Sequence, residues 1–344
     1  MASMLTTSSS ARAEFIWSDL DGNDTVSTDE LEGYPTDGIL SWWGFDPTDP
    51  SNFENINGVD PKLKVELSDE LLLGIEREVF ADFSLSGTFI YRRNHNFIFS
   101  TYYDIESGTF IRQSDYIGPV AGSLTYDGTT YGYEYWTLAA RRPAGTYLLN
   151  LPDYHQNSTV VEFTAVKRLS HRWMLNGSFT YQVFTWHYGE RGFLDPTNVS
   201  ILDGGRAWGG PDSDWMAKLG FLYQLPWGFN FSGFANARQG FTNLQRIRAP
   251  TPARSAVGLG SNMDIYIEKP GTTRLPDFYN VDLSLTKDVR FKGTGIMTLC
   301  VDAFNIFNFA HDLSRYPRVN SSRHDEILKI LNPRVIRFGL KYNF

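Results

Sequence analysis

From Ile336 to Phe344 the chain alternates without a break. Ile336, Phe338, Leu340, Tyr342 and Phe344 fall on one side of an extended backbone, and Arg337, Gly339, Lys341 and Asn343 on the other. Period two marks a strand with one apolar face. A soluble domain rarely relies on its last residues in this way, because termini fray. A transmembrane β-barrel does: its wall strands set an apolar face against lipid and a polar face against the lumen, with aromatic residues at the interfaces.

The same pattern recurs in pairs joined by very short turns. Residues 67–79 meet 82–99 across Phe80 and Ala81, and 158–168 meet 172–186 across 169–171. Residues 215–225 turn at Pro226-Trp227-Gly228 into 229–240, and 277–289 meet 295–308 across 290–294. With the final strand this makes nine wall strands. The other connections, 101–156, 189–213, 240–276 and 309–331, are long and rich in Gly, Pro, Asp, Asn and Trp. Short turns at one end and long loops at the other predict a bacterial barrel with periplasmic turns and extracellular loops. A sandwich also alternates, but its loops do not segregate by end. The predicted fold is therefore all-β: a partial transmembrane antiparallel β-barrel of about nine wall strands with long extracellular loops. Residues 1–62 read as an N-terminal tail and extracellular loop, and 63–344 as barrel. An odd wall left open would expose strand edges to lipid, which is costly, so the expectation is one part of a larger barrel.

Composition agrees with this class and removes others. Mean hydropathy is -0.30, and no run of about 18 apolar residues offers a membrane helix. Aromatic residues reach 15%, as two interfacial girdles would require. A net charge of -8 argues against nucleic acid as a partner. The single cysteine, Cys300, excludes an intramolecular disulfide framework and reads as a small wall residue. Residues 1–13 are polar and Ser/Thr-rich, without the basic start and apolar core of an export signal.

Three segments carry a family resemblance: V-D-A-F-N-I-F-N (301–308), L-N-P-R-V-I-R-F-G-L-K-Y-N-F (331–344) and L-K-V-E-L-S-D-E-L-L-L-G-I-E-R-E-V (63–79). They resemble the C-terminal barrel of TonB-dependent outer-membrane receptors, in particular the Oar-like branch. That resemblance implies a larger closed barrel, a plug moved by TonB, and uptake or surface binding of a bulky ligand. It also implies that the closing strand, with Phe338, Leu340, Tyr342 and Phe344, is the insertion signal read by the barrel-assembly machinery while those side chains face outer-membrane lipid. The expected partners of such a segment are the rest of the barrel and its plug, with TonB reached only through the plug, so transport by this segment alone is not expected. The alternative is a self-contained small barrel acting as a pore or adhesin, which would take a tenth strand from residues 136–149.

One loop has the donor order of a hard-cation site. Asp19, Asp21, Asn23, Thr25, Ser27 and Glu30 occupy positions 1, 3, 5, 7, 9 and 12 of a 12-residue run, with Thr25 offering its carbonyl. Calcium needs six to eight oxygens, and an EF-hand type loop ending in a bidentate Glu supplies them. Position 6, normally Gly, is Asp24, and no paired long helices flank the run. The candidate ion is calcium, as a loop stiffener; no other cofactor is expected.

Enzyme chemistry finds no support. Glu70, Glu76 and Glu78 alternate with Leu71, Leu73 and Ile75, which predicts a lumen-facing polar row, not an acid–base pair. No G-x-S-x-G is present. The six histidines, His95, His155, His171, His187, His311 and His324, lack close metal spacing and read as loop and turn residues. Trp42, Trp43, Trp136, Trp208 and Trp215 read as loop-packing side chains, with stacking on sugars as the alternative. Asn305 and Asn308 read as residues leaving the ladder, with Phe304 and Phe307 at the outer interface.

Overall fold

The computed structural model describes residues 12–23, 25–34, 41–43, 57–104, 107–140, 144–188, 195–198, 212–291 and 295–344. Nine long strands form one sheet: β1 (Leu67–Phe80), β2 (Phe83–His95), β3 (Tyr154–Ser170), β4 (Trp173–Tyr188), β5 (Trp215–Gln224), β6 (Phe229–Arg238), β7 (Phe278–Phe291), β8 (Gly295–Phe304) and β9 (Val335–Asn343). Each pairs antiparallel with its neighbour in sequence, so the order runs β1 to β9 as an up-and-down meander. The expected strand number is the observed one. Among the described residues nothing pairs with the outer edge of β1 or of β9, and the wall is not closed.

Turn chemistry explains where the strands reverse. The β3–β4 connection holds His171 and Arg172 at φ 50° and 71°, both left-handed, as a tight hairpin of right-twisted strands demands. The β5–β6 turn places Trp227 and Gly228 at φ 60° and 77°. Asp82 turns β1 into β2 at φ 65°.

The two faces differ as the alternation predicts. Along β2 the outward residues are Phe83, Leu85, Gly87, Phe89 and Tyr91. Opposite them on β3 stand Lys167, Ala165, Phe163, Val161 and Thr159. From Phe83 to Tyr91 this band runs roughly 26 Å along the strand, about 20 Å of height at the usual tilt, which fits within the apolar band of an outer-membrane barrel. Phe163 is 57% exposed and Phe338 is 78% exposed. Inward side chains hydrogen-bond instead. Thr180 and Thr164 donate to Glu162, Ser284 donates to Asp302 at 2.7 Å, and Thr298 donates to Asp288 at 2.7 Å. Arg92 Nε reaches Glu70 at 2.8 Å, which places that glutamate in a polar row on the inner face.

The buried core lies in the connections, not in the wall. Tyr135, Ile247, Ala249 and Ile265 form one cluster, and Leu149, Leu151 and Tyr188 another with Phe99, Tyr147, Tyr154 and Trp186 against them. The connection between β2 and β3 builds a sheet of its own, Ile98–Asp104 against Ala144–Asn150, flanked by Gly58–Val59 and Thr109–Phe110. It also builds the hairpin Tyr116–Tyr126/Thr129–Leu138, which turns at Asp127-Gly128. The β6–β7 connection contributes the pair Arg246–Pro250/Asn262–Tyr266, and the β8–β9 connection Asp312–Arg315/Ile327–Ile330. Among the described residues, 136–138 and 144–149 therefore belong to these surface sheets and supply no tenth wall strand, because their pairing partners are other loop strands. Among the described residues no helix is long and apolar enough to cross a membrane, which leaves crossing by strands untouched.

Candidate functional site

At the end of β8, Asn305 and Asn308 leave the ladder at φ 48° and 54°. The side chain of Asn305 then works as a splice. Its Oδ1 accepts from Phe309 N at 2.9 Å, and its Nδ2 donates to Phe309 O at 2.8 Å and to Asn332 O at 2.9 Å. Its own amide donates to Asp282 at 2.8 Å. The F-N-I-F-N segment thus fixes where the wall ends and the β8–β9 loop begins. Phe304 corrects the sequence reading: it shares the inner face with Asp302, and the Arg337 guanidinium lies 5.3 Å from its ring centre. Phe307 is exposed, its ring 5.6 Å from that of Phe309. Arg337 holds β9 to β8 with two bonds to Asp302 Oδ2, at 3.0 and 2.6 Å, and Cys300 Sγ donates to the same carboxylate at 3.1 Å. Along β9, Phe338, Leu340 and Tyr342 occupy the opposite, lipid-side face, with Phe344 fully exposed beyond the strand.

The acidic loop brings part of its predicted donor set together. One carboxylate oxygen from each of Asp19, Asp21 and Glu30 lies within 4.8 Å of the others. Asp19 Oδ1 accepts from Gly22 N at 2.7 Å and Asn23 N at 3.2 Å. Asn23 turns its amide to Asp21 Oδ2 at 2.6 Å and its carbonyl oxygen to Thr25 N at 2.6 Å. Glu30 closes the short turn Thr28–Glu30 and is buried. Its carboxylate accepts from Leu20 N at 2.9 Å, Ser27 N at 3.1 Å and Trp17 Nε1 at 3.3 Å. The Leu20 amide, with help from Ser27 and Trp17, holds this carboxyl down at about 2. Around the group, Ser27 N donates to Glu30 and Thr25 N to Asn23. Asp24 lies outside the described residues.

A cleft of about 580 Å³ opens between the hairpin and the Asn262–Tyr266 strand, a volume within the range of ligand sites. Tyr133, Glu134, Trp136, Thr197, Tyr266 and Ile267 line it. Its far side is set by residues 195–198, held at three points. Arg254 Nη2 pairs with Asp195 at 2.8 Å while its Nη1 bonds the Trp136 carbonyl. Thr197 Oγ1 accepts from Trp136 N at 3.2 Å. Asn198 imitates a strand neighbour, donating to Asp264 O at 3.0 Å and accepting from Tyr266 N at 3.1 Å. The cleft offers aromatic faces, hydroxyl groups and one carboxylate. Of the five tryptophans singled out in the sequence, only Trp136 lines it. Trp215 is a wall residue of β5, and the side chains of Trp42, Trp43 and Trp208 lie outside the described residues.

An apolar outside, a hydrogen-bonded polar inside and folded surface connections at one end define a partial transmembrane antiparallel β-barrel. Solved outer-membrane proteins are similar to it. The outer membrane transporter YddB of Escherichia coli is 11% identical, over 81% of this chain and 33% of that one, with a TM-score of 0.47. The siderophore receptor PirA of Acinetobacter baumannii is 14% identical over 82% and 32%, at 0.45. The ferripyoverdine receptor of Pseudomonas aeruginosa is 12% identical over 81% and 27%, at 0.43. The chain spans about a third of the length of the first solved chains it matches. No family model matches it, and no curated protein does. At such scores the likeness decides nothing by itself; the facing and register of the strands do.

Proposed function

We propose that this chain is the C-terminal wall and surface-loop part of a TonB-dependent outer-membrane receptor of the Oar-like branch, which captures a bulky ligand at its extracellular face. The observation that carries this reading is the segregation of the connections. The described short turns join β1–β2, β3–β4 and β5–β6, all at one end. The long connections at the other end fold into a platform with its own core and a cleft. A wall with two unpaired edges is unstable in lipid, so its working form includes further barrel strands and a plug, through which TonB acts. By itself the segment performs neither transport nor chemistry. β9, with Phe338, Leu340, Tyr342 and Phe344 on one face, acts as the strand that the barrel-assembly machinery engages. The acidic loop binds calcium through Asp19, Asp21 and Glu30, with Asn23, Thr25 and Ser27 completing the sphere.

Surface labelling tests the orientation. Cysteine at Glu134 should react with a membrane-impermeant maleimide on intact cells, and cysteine at Arg172 only after the outer membrane is opened. Equal labelling of both on intact cells would overturn the receptor reading. The native species detected through the 309–331 loop should be heavier than 39.1 kDa. A stable 39.1 kDa species that conducts ions would favour the small-pore alternative instead.

A further inference from the structure

Three of the six histidines are brought into one row by the sheet. His155 on β3 stands opposite His95 on β2 and opposite His187 on β4. All three project on the outward face, beyond the apolar band: the row below them is Arg93, Asn157 and Thr185, and the row below that begins with Tyr91. They therefore sit above the hydrocarbon, at the aqueous rim, and not in turns as their spacing in sequence suggests.

Directly opposed residues on neighbouring antiparallel strands have Cβ atoms about 4.5–5.5 Å apart, a spacing from which two imidazoles can reach one ion. Here the His155 and His187 rings stack with centroids 4.6 Å apart and planes 21° from parallel. The protons are placed by their neighbours. His155 Nδ1 lies 2.7 Å from the Asp153 carbonyl oxygen, which can only accept, so Nδ1 carries the proton and Nε2 keeps its lone pair. His95 Nε2 lies 3.0 Å from Asp69 Oδ2, which likewise leaves Nδ1 as the lone-pair nitrogen. A carbonyl or carboxylate behind an imidazole is the arrangement that orients histidines toward metals and raises their basicity. Among the described residues no hydrogen bond engages the remaining nitrogens of the row. His95 and His187 are half-buried, and His155 is buried.

We propose that His155 and His187, with His95 as third ligand, bind a borderline divalent transition metal such as Zn²⁺ or Cu²⁺ at the outer rim of the wall, clipping β2, β3 and β4 together. Imidazole donors select these ions over calcium and magnesium. The ligand atoms of the three do not converge in this structure, so binding requires the His187 ring to turn out of the stack, with Asp69 and Asp153 balancing the charge. The site is separate from the acidic loop, whose oxygen donors suit a harder ion, and it does not depend on the receptor reading.

The test is Cu²⁺ and Zn²⁺ titration of this chain within its assembled barrel, extracted from the outer membrane into detergent micelles, with calcium present to occupy oxygen sites. Calorimetry gives the affinity, and electron paramagnetic resonance identifies the Cu²⁺ ligands. The expected result is one ion per chain with nitrogen hyperfine structure from at least two imidazoles. His187→Ala should weaken binding by about tenfold or more, and His324→Ala should leave it unchanged. His187→Asn, which keeps a polar side chain in the ladder, should weaken it equally, so that a folding defect in the alanine variant cannot imitate the effect. Oxygen-only ligation, no uptake by the unsubstituted chain, or unchanged affinity in the double variant His155→Asn/His187→Asn would each overturn the proposal.

Discussion

Phe163 sits at the middle of the outward band on β3, facing Gly87 on β2 and Phe179 on β4, and it is 57% exposed. Its neighbour Thr164 points inward, bonded to Glu162. Arginine at each position asks which solvent the outer face meets. In lipid, a cation at mid-depth costs about 2–4 kcal/mol, which lowers the ratio of folded to unfolded chain by roughly 30- to 1000-fold. In water, replacing a phenylalanine that is already more than half exposed would stay within about 0.5 kcal/mol of neutral. Thr164→Arg places its charge beside Glu162 in the lumen and should be close to neutral in either case. The assay is urea unfolding of the assembled barrel that contains this chain, in phospholipid vesicles, with band shift on unheated gels as the independent readout. Phe163→Arg should lose stability by the stated amount, and Thr164→Arg should not. Equal midpoints for both, or a loss confined to Thr164→Arg, would refute the assignment of faces and with it the transmembrane wall.

Asn305→Ala removes three side-chain bonds from a buried, left-handed position and should cost about 2–4 kcal/mol, measured as a lowered unfolding midpoint. Glu30 has a folded carboxyl value of about 2 against an ordinary 4.5, so its contribution is present above about 4.5 and is lost as pH falls through about 2. Hydrogen exchange at the Leu20 and Ser27 amides should be flat from pH 7 to 5 after correction for intrinsic rate, then rise as the carboxyl protonates; a Glu30→Gln chain should lack that step. Terbium luminescence sensitised by Trp17, whose Nε1 is 3.3 Å from Glu30 Oε2, should appear on titration, be displaced by calcium, and be abolished by Asp19→Asn. Removing Tyr342 to Phe344 should reduce the amount of chain assembled in the outer membrane several-fold while leaving its synthesis unchanged, as immunoblots of membrane fractions would show.

Period two made the wall legible: each of the nine strands carries its own apolar face, and the turn residues between them are local signals. Of the acidic loop, the approach of Asp19, Asp21 and Glu30 was legible, since they lie within twelve residues. The surface sheets were not, because Gly58 meets Tyr147 and Arg246 meets Arg318 through pairings no local pattern encodes. The histidine row shows how little separates the two cases. The tight turn pairs Ser170 with Trp173, and carried forward unchanged that register would set His155 against Tyr188. A bulge between Lys167 and Ser170 shifts it by one residue, so His155 meets His187. A slip of one residue also exchanges the faces, so without the bulge the two imidazoles would stand on opposite sides of the sheet. His95 joins them across a connection of folded sheets, and no sequence rule reaches that far.

Nine strands, each reversed relative to the last, have a consequence for closure. β1 and β9 run in the same direction, so wherever their outer edges met directly the seam would be a parallel ladder, with slanted and slightly weaker hydrogen bonds. The same holds for the edge of a second copy inserted with the same orientation, since its β1 would arrive pointing as β9 does. An antiparallel seam on both sides requires an inserted arc whose two outermost strands both run against β1 and β9, and therefore an arc of odd strand number. The polarity of its edges thus makes this wall selective: it accepts arcs of one parity, and it turns its own kind away from the stronger seam.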